Sequence, residues 1–148
     1  NDNFVTEFKS QDLTGAAKKG LAIITCMDSR IDPLRIVGMK AGDAKILRNA
    51  GARVTEDVLR TLILATNLLN VTRVLVMPHT DCKMASGTED QIHAAIFEKS
   101  GIDTRSIEIR TVIDQLAALK SDLLVLIPNI SSVYCMLDCP EHNQTSPI

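Results

Sequence analysis

The chain has 148 residues, 45% hydrophobic and 3% aromatic, with 16 basic and 18 acidic side chains and a net charge of −2. This length fits a single domain, 1–148, with a core large enough to need no disulfide staples. Without a basic block or aromatic platforms the composition speaks against nucleic-acid binding, and the longest apolar run, Asp122 to Pro128, is far too short to span a bilayer.

In chain order, residues 1–20 read as an N-terminal helical arm whose apolar anchors, Phe4, Val5, Phe8 and Leu13, pack on something else. Leu21-Ala-Ile-Ile-Thr25 is a short β-branched run, the pattern of a buried strand. Asp32-Pro33 breaks the chain, and Leu34, Ile36 and Val37 suggest a short helix. Ala44-Lys-Ile-Leu47 is a second strand running into the small-residue loop Arg48–Arg53. Thr55 is the expected N-cap of a helix that turns Val58, Leu59, Leu62, Ile63, Ala65 and Leu69 inward. Arg73–Met77 is a third strand, stopped by Pro78. A helix over Glu89–Lys99, with Ile92, Ala95 and Ile96 inward, ends at Gly101. A further helix over 113–119 and a fourth strand over 123–127 follow; Val133–Leu137 adds a C-terminal edge strand, and 139–148 is a polar tail.

Short buried strands alternating with helices predict an α/β fold with a mainly parallel central sheet flanked by helices. Ligands in such sheets bind beyond the carboxyl ends of the strands. That rule singles out three loops that follow strands: 26–30, 48–53 and 78–84.

The first of these loops carries Cys26, Asp28 and Arg30 at alternate positions, which share a face if the chain stays extended. Taken alone they read as a buried cysteine followed by a loop ion pair. The third loop carries His79 and Cys82, three apart, which fit one side of a turn. If the two strands are neighbours, Cys26, His79 and Cys82 meet as a Cys₂His set. Such a set suits zinc and leaves a fourth position open. Asp28 is a candidate for that position; paired with Arg30 instead, it leaves the position to water.

Together Cys26-Met-Asp-Ser-Arg30, Arg48-Asn-Ala-Gly51 and His79-Thr-Asp-Cys82 resemble the β-class carbonic anhydrases, as does Val54-Thr-Glu-Asp-Val-Leu-Arg-Thr-Leu62 after the glycine loop. The resemblance covers about residues 20–128 and the short bacterial type. It implies one Zn²⁺ per chain held by Cys26, His79 and Cys82, with Asp28 and Arg30 as a catalytic dyad and Asp28 able to ligate zinc in a closed state. It also implies a substrate cleft beside Asn49, Ala50 and Gly51, and a homodimer or homotetramer. The implied reaction is reversible hydration of carbon dioxide to bicarbonate through zinc-bound hydroxide. Carbon disulfide or carbonyl sulfide hydrolysis on the same scaffold is the alternative, with a non-catalytic zinc-binding regulatory protein as a further one. The sequence departs from the family at Lys83, where glycine is common, and after Tyr134.

The remaining singular residues read as structural. Cys135 and Cys139, with His142 nearby, fall short of a second metal site, and His93 is expected to be a partly exposed helix histidine. Arg48 and Arg53 either support the cleft or pair with acids. No secretory leader is evident and the four cysteines form no disulfide-scaffold pattern, so a reducing cytoplasm is the expected setting.

Overall fold

Strand β1 (Leu21–Cys26) is buried along its whole length, as a run apolar on both faces requires. It lies between β2 (Ala44–Asn49) and β3 (Arg73–Met77) and is parallel to both. The computed structural model describes residues 1–8, 12–111, 132–135 and 146–147. Within them β4 (Ser132–Cys135) runs parallel beside β3, and β5 (Ser146–Pro147) pairs antiparallel with β4, in the order β2-β1-β3-β4-β5.

The expected α/β architecture with a mainly parallel sheet is therefore the one observed. β4 falls where the C-terminal edge strand is expected, but β5, from the stretch read as polar tail, covers its outer side. The expected helix over 113–119 and strand over 123–127 lie outside the described residues, as do Cys139 and His142.

Alternation along the strands divides the interior in two. Ala22, Ile24, Val74 and Val76 face one side, where Val58, Leu62 and Ala65 of helix α3 (Glu56–Leu68) close over them. Leu21, Ile23, Leu75 and Met77 face the other side and pack with Ile31, Met84, Cys26 and Cys82. Cys26 and Cys82 thus grow out of the second layer.

The α3 boundary matches the sequence pattern, with Thr55 in extended conformation at the N-cap, although its hydroxyl makes no capping bond. Leu62 is fully buried against the sheet, whereas Ile63, expected inward, is 51% exposed. The buried stripe runs through positions 58, 62 and 65, and one further residue carries Ile63 about 100° round the helix to the outer face. Leu62→Ala should cost about 2–5 kcal/mol, the range for deleting a buried leucine side chain without collapse of the cavity. Urea unfolding measures it; a loss under about 1 kcal/mol would contradict tight α3 packing.

Helix α4 (Glu89–Ser100) opens with a capping box between Thr88 and Gln91 and ends at Gly101, whose φ of 72° is the left-handed region that suits glycine. Its buried residue is His93, at 7% exposure, which corrects the expectation of a partly exposed histidine; Ala95, expected inward, is exposed. Burial is tolerated because both ring nitrogens are served: Nδ1 meets the Thr104 hydroxyl at 2.8 Å, and Nε2 lies 3.6 Å from Glu89 one turn earlier. Glu89 Oε1 also accepts the Ile109 amide at 2.6 Å, fastening the segment after α4 to the helix start.

At the N-terminus, helix α1 (Asp2–Glu7) has no buried residue, and Phe4, Val5 and Phe8 remain exposed with the two rings 5.6 Å apart. The short helix α2 (Pro33–Ile36) is capped by Asp32, which accepts the Arg35 amide. Among the described residues no helix is long and apolar enough to cross a membrane.

Candidate metal centre

Cys26 ends β1, Asn49 ends β2, and Pro78-His79 follows β3, so parallel pairing delivers the three loops to one end of the sheet. Cys26 pairs in register with Asn49, and Thr25 with Met77, two residues before His79. The Thr25 hydroxyl donates to the Met77 carbonyl at 2.9 Å and clamps β1 to β3 just below the site.

There the donor atoms of Cys26, His79 and Cys82 all lie within 4.8 Å of one another, and each of these residues is 5% exposed. The two sulfurs are 3.9 Å apart. That is far beyond the ~2.05 Å of a disulfide. It matches the separation of about 3.8 Å for two sulfurs held tetrahedrally at ~2.3 Å from one zinc. The His79 ring is fixed by its neighbour. Its Nδ1 lies 2.8 Å from the Thr80 carbonyl, which only accepts, so Nδ1 carries the proton and Nε2 keeps its lone pair. The residues present therefore fit a tetrahedral zinc with one position left over.

Two neighbours support the Cys26 sulfur and its strand end. The Gly51 amide donates to Cys26 Sγ at 3.4 Å. Gly51 holds a φ of 79°, and a Cβ there would sit 3.0 Å from Met84 Cβ, so close approach and backbone angle both favour glycine. The turn containing it is closed by Asn49, whose Oδ1 accepts the Arg53 amide and whose Nδ2 donates to the Arg53 carbonyl. Arg48 donates to the carbonyls of Cys26 and Asp28, and Arg53 donates to the Arg110 carbonyl. Both arginines thus brace loops around the cleft. Burial pushes the Cys82 thiol up, and the adjacent Cys26 adds to the shift.

Asp28 reaches the site by a turn. The Ile31 amide donates to the Asp28 carbonyl, and Arg30 folds back on the carboxylate. Asp28 Oδ1 accepts from Arg30 N at 2.9 Å and Nε at 3.0 Å, and Oδ2 accepts from Nη2 at 2.8 Å. These bonds hold the Asp28 carboxyl well below the usual carboxylate range. Oδ2 lies 3.9 Å from His79 Nε2. Sequence reasoning missed one member of this cluster: Asp81, whose Oδ2 meets Arg30 Nη1 at 3.3 Å. The signal is its place between His79 and Cys82, two buried side chains that flank a residue with a φ of 57°.

A cleft of about 480 Å³ opens over the centre, walled by Met27, Ala50, Asp81, Lys83 and Met84 with Asp28 and Arg30 at its side. Of the expected cleft residues, Ala50 lines it, Gly51 touches the Cys26 sulfur, and Asn49 closes the turn behind.

Residues 21–125 match the family model described as carbonic anhydrase. Beta-carbonic anhydrase 1 of Mycobacterium tuberculosis is 39% identical over 102 residues, covering 69% of this chain and 62% of that protein. A carbon disulfide hydrolase of Saccharolobus solfataricus is 36% identical over 96 residues, covering 65% of this chain and 47% of that one. Among solved structures, a carbonic anhydrase from Glaciozyma antarctica superposes with a TM-score of 0.75 at 26% identity, over 99% of this chain and 91% of that chain. The aligned part thus spans less than two thirds of these curated relatives.

Proposed function

Because the chain belongs to the β-class carbonic anhydrase family, we propose that it holds one zinc ion between Cys26, His79 and Cys82 and catalyses the reversible hydration of carbon dioxide to bicarbonate and a proton. The observation that carries this reading is the convergence of two sulfurs and an imidazole nitrogen within 4.8 Å, beside a carboxylate engaged by Arg30. Zinc in such a set would acidify its bound water, less strongly than with three imidazoles because two thiolates lower its effective charge, and so supply a nucleophile.

The chain's own residues set the direction of attack. Asp28 Oδ1 is saturated by two Arg30 donors, while Oδ2 takes one and keeps a lone pair on the side of His79. Oδ2 accepts the O–H of the attacking water and turns an oxygen lone pair toward the carbon. A carboxylate held so acidic is a weak base, so Asp28 orients the water rather than stripping its proton. Arg30 keeps Asp28 away from the fourth ligand position. The Asn49–Gly51 turn, small in its side chains beyond Asn49, leaves room for a triatomic substrate. A regulatory zinc protein fits less well, because a structural site is closed by four fixed ligands.

A homo-oligomer, at least a dimer, belongs to the same reading. It is supported by the apolar side chains of α1 and its C-cap (Phe4, Val5, Phe8) and of α3 (Ile63, Leu64, Leu68), which are exposed in the single chain. A cytoplasmic setting accords with the free thiols of Cys26 and Cys82.

Stopped-flow carbon dioxide hydration on metal-quantified protein tests the function. The expected result is about one zinc per chain, with a rate that disappears on chelation and returns on zinc addition. A zinc-loaded protein no faster than buffer would refute it. Carbon disulfide in the same assay separates this activity from the one named for the Saccharolobus relative.

A further inference from the structure

The cleft presents an electrostatic imbalance that one residue corrects. Two carboxylates, Asp28 and Asp81, face it, and Arg30 is bonded to both through Nε, Nη2 and Nη1. That trio sums to one negative charge. Two thiolates would cancel the formal charge of a divalent ion, so that negative charge is not offset by the centre. Lys83 also lines the cleft, and among the described residues its ammonium makes no ion pair. Its backbone is fixed nonetheless. Lys83 opens a single helical turn between buried Cys82 and buried Met84, and its carbonyl accepts the Ser86 amide and hydroxyl. An exposed, flexible cation thus stands on a rigid base among the residues that line the cleft.

We infer that Lys83 is the anion-docking group of the cleft: it holds bicarbonate, and other small monoanions, at the mouth beside Cys82. The inference rests on the carbonic anhydrase reading for the identity of its ligand. Carbon dioxide is neutral and gains nothing from this charge; bicarbonate gains on arrival and is held back on departure. The equilibrium constant ties kcat/KM of the two directions together. A contact made only with the bound anion therefore raises or lowers KM and kcat for bicarbonate in step.

The test is calorimetric titration of the zinc-loaded protein with thiocyanate, a linear monoanion, at low ionic strength, alongside bicarbonate dehydration kinetics. Lys83→Gln should weaken thiocyanate binding about 3–10-fold, the effect of one unit charge at a partly solvated site. Lys83→Glu should weaken it further and Lys83→Arg should retain it. The differences should shrink in molar salt, where screening acts over about 3 Å. KM and kcat for bicarbonate should rise together in Lys83→Gln. Thiocyanate affinities within twofold of wild type in both the Gln and Glu variants would overturn the assignment. Should the protein turn over no carbon dioxide while Lys83→Gln still loses thiocyanate affinity, the functional reading fails and Lys83 as an anion-docking group stands.

Discussion

Cys82→Ser should give a folded chain that no longer retains zinc. A serine hydroxyl stays protonated at neutral pH, so the substitution deletes one of two thiolate charges and leaves a hard, neutral oxygen in a soft-donor set. The loss should exceed the ~10–100-fold drop in affinity that follows removal of a mere outer partner of a metal ligand. Zinc per chain after gel filtration should fall from about one toward zero, and carbon dioxide hydration should fall with it. The fold should persist, because β1 and β3 pair from Leu21↔Arg73 to Thr25↔Met77 without help from the loop. Burial also raises the Cys82 thiol, so metal loading must release its proton, and zinc uptake by the wild type should weaken as pH falls. Circular dichroism and elemental analysis together decide the matter. A Cys82→Ser protein with full zinc and full rate would remove Cys82 from the ligand set.

Asp28→Ala should do the opposite: keep the metal and lose the reaction. Asp28 is bonded to Arg30 through both oxygens and makes none of the three donor contacts of the centre. Its deletion removes the acceptor that orients the water, an effect on the order of 10²–10³ in kcat for one oriented hydrogen bond in a reacting site. Arg30→Lys should fall between wild type and Asp28→Ala, because an ammonium keeps the charge but loses the two-pronged grip on the carboxylate. Stopped-flow rates normalised to zinc content measure both variants. Wild-type turnover by Asp28→Ala would assign the orientation of water to another group; loss of zinc would make Asp28 a ligand.

The strands were legible because their chemistry is simple. β1 reads as a continuous apolar run since both its faces are covered, and Pro78 marks the end of β3 because proline cannot continue the ladder. Legibility ended where side chains chose partners in three dimensions. Alternation in an extended chain puts Asp28 beside Cys26, but strand geometry stops at Cys26 and a turn brings Asp28 in. Asp81 left no trace in periodicity, since its contribution is a backbone angle and a contact with Arg30, 51 residues away in sequence. The burial of His93 escapes the sequence for a related reason. Polarity predicts exposure, and the Thr104 hydroxyl that offsets its burial comes from a segment beyond the helix. On α3, spacing correctly gave Val58, Leu62 and Ala65 but could not tell which edge of the stripe Ile63 would occupy.

The 56-residue separation between Cys26 and Cys82 has a consequence for how the protein is made. In the unfolded chain His79 and Cys82 are a local pair, while Cys26 lies far from them along the sequence. Cys26 joins them once β1 has slid into place between β2 and β3. A bound ion then closes a loop of that length as a cross-link, a constraint whose value grows with the logarithm of the span. Zinc loading by all three donors would therefore wait on sheet assembly. An ion so held would rivet the end of the sheet at which the three loops meet.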